Sequence, residues 1–202
     1  MRLFYSPSSP YARKVRVLAH ETGLLDRIEL VSTTPSPTAP AADLNDRNPL
    51  GKIPCLVTDD GSSLFDSRVI CEYLDSMHDG ERLFPAAGPS RWQALTLQSL
   101  GDGILDAAVI TRYETFLRPE ELRWNDWVDA QLGKLRRGLD RIESDTDALN
   151  PKPDIGSIAV AAACGYLDFR YSEENWRDSR PGLARWYEDF AARPSMQQTA
   201  PV

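Results

Sequence analysis

The sequence predicts an α/β fold that is followed by an all-helical part. A β-prone run, Arg2–Tyr5, leads through turn residues into a helical pattern, as in a strand-turn-helix unit. The turn Asp59–Gly61 separates two short β-prone runs and indicates a hairpin. After Phe65 no strand signal of comparable strength recurs, and helical spacing of apolar residues dominates. These observations predict a mixed four-stranded sheet followed by a helical bundle.

The first strand and helix are marked by local turn chemistry. Ser9 is a suitable N-cap, Pro10 suits the first helical turn, and Gly23 suits a C-terminal stop. Residues Arg27–Ser32 then alternate as a second strand. Because a helix connects this strand to Arg2–Tyr5, the two strands should be parallel in a right-handed βαβ unit.

The next segment predicts a loop and then an antiparallel pair of strands. Residues 33–48 carry three prolines among small polar residues, so we expect an exposed loop with one helical turn near Ala41–Asn45. Pro54–Thr58 and Ser63–Phe65 are the strands of the predicted hairpin. Asp66-Ser67 then caps a helix with a continuous apolar face.

A change of pattern divides the chain into two predicted domains. Residues 79–89 are rich in glycine and proline and interrupt every periodicity, so they predict a linker between a domain of residues 1–78 and a helical domain of residues 90–202. The tail, Ser195–Val202, is expected to be frayed. Helical spacing recurs in Arg91–Phe116, Glu120–Glu143, Ile155–Arg170 and Gly182–Ala192.

Composition limits the classes of partner. The 202 residues are 42% hydrophobic and carry a formal net charge of −7, a balance that repels phosphate backbones and anionic lipid surfaces. We therefore expect neither nucleic acid nor a membrane as a partner. The longest apolar run, Ile158–Leu167, is about half of the roughly 20 residues that cross a bilayer. The N-terminus lacks signal-peptide features, and Cys55, Cys71 and Cys164 form no C-x-x-C pair, which favours a cytoplasmic location.

The turn after the first strand carries two hydroxyls where a helix begins. Ser8 and Ser9 stand there, and a helix N-terminus offers N–H groups and a positive dipole end to an anion. From the local sequence alone, Ser9 as a helix cap without further function is the stronger interpretation.

Two further turns supply groups that suit a short peptide. Pro54 heads a strand, and a cis Ile53-Pro54 bond would turn the peptide groups of Ile53 outward, where they could pair with a peptide backbone. Asp66 and Ser67 add a carboxylate, a hydroxyl and helix N–H groups suited to an amino acid's ammonium and carboxylate. Three turns would therefore converge on one peptide ligand.

With these residues in place, the sequence resembles the glutathione S-transferase family over its whole length. The resemblance rests on Ser8–Val15, Asn48–Pro54 and Phe65–Ser67, and Leu100–Asp106 is similar to the first helix of the second domain in bacterial members. It implies a thioredoxin-like N-terminal domain, an all-helical C-terminal domain, glutathione as co-substrate, a homodimer and no metal.

The resemblance also implies roles for individual residues. Ser9, directly before a proline, would hold the glutathione thiolate; Ser8 is the alternative, because some members use a Ser-x-Pro register. Lys52 would hold the glycyl carboxylate and Ile53-Pro54 the cysteinyl backbone. Asp66-Ser67 would hold the γ-glutamyl end. No cysteine lies near Ser9, so thiol-disulfide exchange by the protein's own thiol is disfavoured.

The second substrate is expected between the two domains. Tyr11 borders the proposed sulfur site, although such an aromatic residue is more often part of the core. Asp102 and Asp106 lie one turn apart on a helix that should face the cleft, and otherwise they form a solvated stripe. The function implied is a glutathione transferase acting on an electrophilic small molecule. The alternatives are a glutathione-dependent peroxidase or isomerase, and a non-enzymatic glutathione-binding or protein-interaction module.

Overall fold

A four-stranded mixed sheet forms the centre of the N-terminal part, as the sequence predicts. The computed structural model describes residues 1–149 and 152–202. The strand order is β2-β1-β3-β4; β1 is parallel to β2, and β3 is antiparallel to both β1 and β4. The strands are β1 Arg2–Tyr5, β2 Glu29–Ser32, β3 Cys55–Val57 and β4 Ser63–Leu64.

Helices cover the sheet and make up the rest of the described chain. In order they are α1 Pro10–Glu21, α2 Ala42–Asn45, α3 Ser67–Asp75, α4 Gly88–Phe116, α5 Asn125–Glu143, α6 Ile155–Arg170, α7 Pro181–Ala191 and α8 Pro194–Gln197. The helix predicted from Glu120 is a single 3₁₀ turn, Glu120–Leu122, before α5. None of the helices within residues 1–149 and 152–202 is long and apolar enough to cross a bilayer.

The sheet is covered on both faces because neighbouring residues of a strand point in opposite directions. Leu3 belongs to the main core together with residues of α1 and α3, whereas Phe4 packs with Leu44 of α2 in a smaller cluster. The main core continues through α4 and α6, so the predicted limits at residues 78 and 90 mark a change of architecture within one continuous core. The domain limits themselves stay a prediction.

Small residues let α4 and α6 pack at short range. A Cβ atom on Gly101 would lie 2.8 Å from the carbonyl carbon of Ala159, and one on Gly156 would lie 2.7 Å from Leu97 Cβ. A capping box begins α6: the Asp154 carboxylate accepts from the Ser157 N–H, and the Ser157 hydroxyl accepts from the Asp154 N–H, both at 2.8 Å. The paired helices form the wall that faces α1.

The prediction of a frayed C-terminal tail is wrong. Residues 194–197 form α8, and Met196 is buried. The Met196 carbonyl accepts from Arg13 Nη2 of α1 at 3.0 Å, and the Glu21 carboxylate accepts from both Arg193 and Ser195. The tail has few apolar residues, so its local sequence does not indicate that it packs against the core. The residues that bind it lie on α1, far away in sequence.

Candidate functional site

The sheet topology brings three predicted segments to one edge. Strand β1 ends at Tyr5, β3 begins at Cys55 and β4 ends at Leu64. Because β3 is antiparallel to both of its neighbours, these three ends lie at the same edge of the sheet. The turn after β1, the residues before β3 and the start of α3 are therefore adjacent, with Ile53-Pro54 in the middle.

Ser9 and Ser8 differ in what their hydroxyls contact. Ser9 is the N-cap of α1, and its Oγ accepts a long hydrogen bond of 3.3 Å from the Ala12 N–H. Within residues 1–149 and 152–202 its hydroxyl proton has no acceptor. The Ser8 hydroxyl instead lies 3.1 Å from the hydroxyl of Ser6, which is buried. The Ser9 hydroxyl is thus able to donate to an anion at the start of α1, whereas the Ser8 hydroxyl shares a hydrogen bond with that of Ser6.

A narrow cleft joins this turn to the helical part. It lies between the start of α1, the middle of α6 and the C-terminal end of the chain. Its walls are formed by Ser8, Ser9, Pro10, Arg13, Ala162, Tyr166 and Pro201. Ser9 therefore lies where the start of α1 meets α6 and the C-terminal end of the chain, and the cleft there has no room for a water-sized molecule.

The segment before β3 presents an unpaired peptide group. The Ile53–Pro54 bond is cis, and Ile53 lies outside the ladder, which starts at Cys55. In the described part of the chain, neither the N–H nor the C=O of Ile53 has a hydrogen-bond partner. Exposed Lys52 precedes it and makes no ion pair with any described residue. A free donor, a free acceptor and a cation thus follow one another along this edge.

Asn48 holds that segment in place, a role that our sequence analysis did not assign. Its Nδ2 donates to the Lys52 carbonyl at 2.7 Å, and its Oδ1 accepts from the Leu50 N–H at 3.0 Å. Asn48 is buried, and Gly51 has a positive φ of 62° with the Asn45 amide 2.9 Å from where a Cβ would stand. This role of Asn48 could have been inferred from the sequence, because Asn48 is the first residue of the motif that contains Gly51 and Lys52.

The start of α3 offers a second set of polar groups. Asp66, the N-cap, accepts from the Arg68 N–H at 2.8 Å, and its side chain is otherwise exposed. Ser67 is buried, and its hydroxyl has no partner among the described residues. The Phe65–Asp66 bond is also cis. A free hydroxyl, a carboxylate and a helix N-terminus therefore meet at this point.

Asp102 differs from the expectation of a cleft-lining or solvated residue. It is 1% exposed, and its carboxylate accepts from Lys14 Nζ at 2.6 Å and from Arg68 Nε at 2.8 Å. Lys14 on α1 is fully buried, whereas half of the Arg68 side chain is exposed. Asp102 thus joins α4 to α1 and α3 and has no oxygen left uncommitted for a substrate.

Tyr11 and Asp106 are joined by a side-chain hydrogen bond. The Tyr11 hydroxyl donates to Asp106 Oδ1, linking α1 to α4, and Asp106 is exposed. Burial raises the pKa of Tyr11 far above its ordinary value, and the hydrogen bond to Asp106 adds to this effect. The phenol therefore stays protonated and acts as a donor. Tyr11 and Asp106 remain candidates for the second-substrate pocket.

The cysteines do not offer a reactive thiolate. All three are buried, and burial raises the pKa of Cys55 and Cys164 and raises that of Cys71 to about 12. Each is thus a protonated core residue at neutral pH. Among residues 1–149 and 152–202 no three His, Cys, Asp or Glu side chains are arranged to hold a metal ion.

Comparison with known proteins identifies the family. Residues 8–77 match the glutathione S-transferase N-terminal domain, and residues 125–189 match the glutathione S-transferase C-terminal domain. The chain is 33% identical, over 210 aligned positions, to the Escherichia coli (strain K12) protein "Uncharacterized GST-like protein YibF", covering 100% of this chain and 98% of that one. This chain belongs to the glutathione S-transferase family.

Solved structures of other glutathione S-transferase family members share its fold. A Pseudomonas fluorescens Pf-5 member, crystallised with bound glutathione, is 50% identical with a TM-score of 0.98, over 100% of this chain and 98% of that one. A second crystal structure of a member from that bacterium holds S-(propanoic acid)-glutathione, at 48% identity, a TM-score of 0.93 and full coverage of both chains. A Methylobacillus flagellatus KT transferase with glutathione bound is 40% identical with a TM-score of 0.89, over 100% and 99% of the two chains. The thioredoxin-like domain followed by a helical domain is thus confirmed.

Proposed function

We propose that this protein binds glutathione and stabilises its thiolate for attack on an electrophilic small molecule. The observation that carries the proposal is the Ser9 hydroxyl, whose proton has no acceptor among the described residues at the N-terminus of α1. A thiolate placed there receives the hydroxyl proton in a hydrogen bond and lies at the positive end of the helix. Ser9 need not ionise, because donating a hydrogen bond is its whole task.

The other polar groups of the sheet edge suit the rest of the tripeptide. The unpaired N–H and C=O of Ile53 pair with the cysteinyl backbone, as a strand pairs with an added strand, and Pro54 fixes their direction. Lys52 is long enough and free to hold the glycyl carboxylate. The Ser67 hydroxyl and the N–H groups of α3 hold the γ-glutamyl carboxylate, and Asp66 holds its ammonium.

The available interactions are large enough for this activation. Lowering a thiol pKa from about 8.5 to about 6.5 requires roughly 2.7 kcal/mol of preference for the anion. A helix N-terminus contributes about 0.3 to 2 kcal/mol. A hydrogen bond to a charged acceptor contributes about 1.5 to 3 kcal/mol. Together they contribute about 1.8 to 5 kcal/mol, a range that includes the requirement without any further group.

The reaction is a transfer of the electrophile to sulfur. The thiolate forms a bond to the electrophilic carbon, the leaving group departs with its bonding electron pair, and the thiol proton passes to solvent. Glutathione in crystals of similar members supports the first substrate. The S-(propanoic acid)-glutathione in a Pseudomonas member supports a thioether product.

Calorimetric titration with glutathione, followed by conjugation assays, tests this function. We expect saturable binding and a rise of thiolate absorbance when glutathione is added to the protein below the pKa of free glutathione. Conjugation of 1-chloro-2,4-dinitrobenzene should then proceed faster than the uncatalysed reaction. Binding without thiolate formation or conjugation would favour the non-enzymatic module, and absence of binding would exclude both functions.

We also propose that the protein is a homodimer, as family membership suggests. Val69 of α3 and Trp92 of α4 are 48% and 68% exposed, and an ion pair of 2.9 Å between Glu72 and Arg91 connects the two helices beside them.

Trp92→Glu is expected to give a monomer in light scattering after size exclusion, because a charge enters an apolar contact. Trp124→Glu, at a tryptophan that is 63% exposed on the α5 side, should remain dimeric. An unchanged mass for Trp92→Glu would place the interface elsewhere.

A further inference from the structure

Residues 193–202 run along α1 and form a segment that we call the strap. It begins beside the last residue of α1, where the Glu21 carboxylate accepts two hydrogen bonds from the Arg193 guanidinium, at 2.8 and 2.9 Å. It reaches the opposite end of the helix at Pro201, which forms part of the wall of the cleft beside Ser9. The strap therefore connects the two ends of a 12-residue helix, which is about 18 Å long.

Two arginines of α1 hold the middle of the strap through its backbone. Arg13 Nη2 donates to the Met196 carbonyl at 3.0 Å, and Arg16 Nη2 donates to the Gln198 carbonyl at 3.3 Å. Thr199 is fully buried, and its hydroxyl donates to a carbonyl of α8 at 2.7 Å. Hydrogen bonds and burial therefore fix the strap as far as Thr199.

The hydrogen bonds of the strap stop before Pro201. The Ala200 N–H still donates to the Gln197 carbonyl, at 3.3 Å. Pro201 has no N–H to donate, and neither Pro201 nor Val202 makes a hydrogen bond with any residue in the ranges 1–149 and 152–202. Val202 is 84% exposed. Packing alone therefore holds Pro201 in the cleft.

Pro201 is the wall of the cleft that is attached least firmly. The cleft beside Ser9 has no room for a water-sized molecule. Its other walls are the first turn of α1 and the middle of α6, where Ala162 is fully buried and Tyr166 nearly so. Tightly packed helices open less readily than the end of a segment that lacks hydrogen bonds. Enlargement of the cleft therefore requires Pro201 to move.

We propose that Pro201 is a specificity-determining residue that limits the size of the electrophile reaching a thiolate at Ser9. This inference rests on the function proposed above and specifies the selectivity of the same site. A small electrophile reacts while Pro201 stays in place. A bulky electrophile binds only those molecules in which the end of the strap is displaced, so its apparent affinity is lowered by the fraction of such molecules.

A shortened variant that ends at Ala200 tests this inference in conjugation assays. The matched probes are iodoacetamide and N-(1-pyrenyl)iodoacetamide, which share one reacting carbon and differ in bulk. In both, the glutathione sulfur bonds to that carbon and iodide leaves with the bonding pair, and each enzymatic rate is divided by the uncatalysed rate. We expect the shortened variant to raise kcat/KM for the pyrenyl compound about fivefold, mainly through a lower KM, and to change that for iodoacetamide by less than about twofold.

Two point variants separate the proline ring from the rest of the strap. Pro201→Gly keeps the chain length and removes the ring, so it should reproduce most of the gain for the pyrenyl compound. Val202→Ser changes an exposed neighbour that is not part of the cleft wall, so it should leave both rates unchanged. Equal gains for the two iodoacetamides, no gain in the shortened variant and Pro201→Gly, or the same gain in Val202→Ser would each overturn the inference.

Access to the cleft is also measurable without glutathione or turnover. Ser9→Cys introduces a thiol at the site, and the three native cysteines are buried, so that they should react slowly. The ratio of the labelling rate with the pyrenyl compound to that with iodoacetamide should rise about fivefold when Ser9→Cys is combined with the shortening. The shortened variant that keeps Ser9 is the control, because labelling of its native cysteines would report unfolding, in which case Ser9→Cys/Pro201→Gly provides the comparison.

The labelling result distinguishes this inference from the proposed catalytic function. If conjugation failed while the labelling ratio rose in the shortened variant, the transferase function would fall and the control of access by Pro201 would stand. If conjugation proceeded and the labelling ratio stayed the same in the shortened variant and in Pro201→Gly, the function would stand and the role of Pro201 would be refuted.

Discussion

Ser9→Ala is expected to lower kcat/KM for conjugation roughly ten- to hundredfold at neutral pH, because it removes a hydrogen bond of about 1.5 to 3 kcal/mol to the thiolate. Glutathione affinity should change little, since the contacts that we propose between Ile53, Lys52 and Ser67 and the rest of the tripeptide are kept. The pKa of the bound thiol should rise by about one to two units. The rate deficit should therefore be largest below the wild-type pKa and shrink as pH rises above that of the variant. A pH profile of kcat/KM measures both effects.

Controls separate activation from helix capping. Ser9 is also the N-cap of α1, so the alanine variant should lose about 1 kcal/mol of stability, whereas Ser9→Gly should lose only a few tenths. Both should lose conjugation alike, since neither has a hydroxyl. Ser8→Ala should retain activity, because the Ser8 hydroxyl is engaged in a hydrogen bond with the Ser6 hydroxyl. A loss in Ser8→Ala alone would move the role to Ser8, and full activity in both alanine variants would refute hydroxyl activation.

The N-terminal fold could be predicted because its signals are local. Ser9 and Pro10 mark the start of α1, and the turn Asp59–Gly61 marks the hairpin, each through backbone preferences that need no distant partner. Once the strands were placed, their directions alone brought Ile53 and Asp66 beside the first turn. The placement of these three turns at one sheet edge was therefore accessible from sequence.

The features that escaped prediction depend on partners distant in sequence. Helical spacing placed Asp102 on a cleft-facing helix, but its environment is decided by Lys14, 88 residues away. The tail packs because Glu21 and Arg13 bind it from α1. The local sequence of a helix does not distinguish a solvated carboxylate from a buried one.

Loss of the Asp102 carboxylate is expected to have the largest effect on stability. Asp102→Ala leaves the Lys14 ammonium fully buried without its partner, and breaking such a pair costs about 3 to 5 kcal/mol. Lys14→Met should cost less, because Asp102 keeps its hydrogen bond from Arg68. Urea unfolding should show these differences as shifts in midpoint with an unchanged slope.

The double variant Lys14→Met/Asp102→Leu decides what the pair contributes. It removes both buried charges and replaces them with apolar side chains, which is often neutral for stability, and half-exposed Arg68 can turn to solvent. We therefore expect the double variant to be more stable than Asp102→Ala by about 2 kcal/mol or more. Such a recovery would mean that the single-variant loss comes from an uncompensated charge rather than from the attraction itself. If the double variant were as unstable as Asp102→Ala, the carboxylate would instead be needed to hold α1, α3 and α4 together.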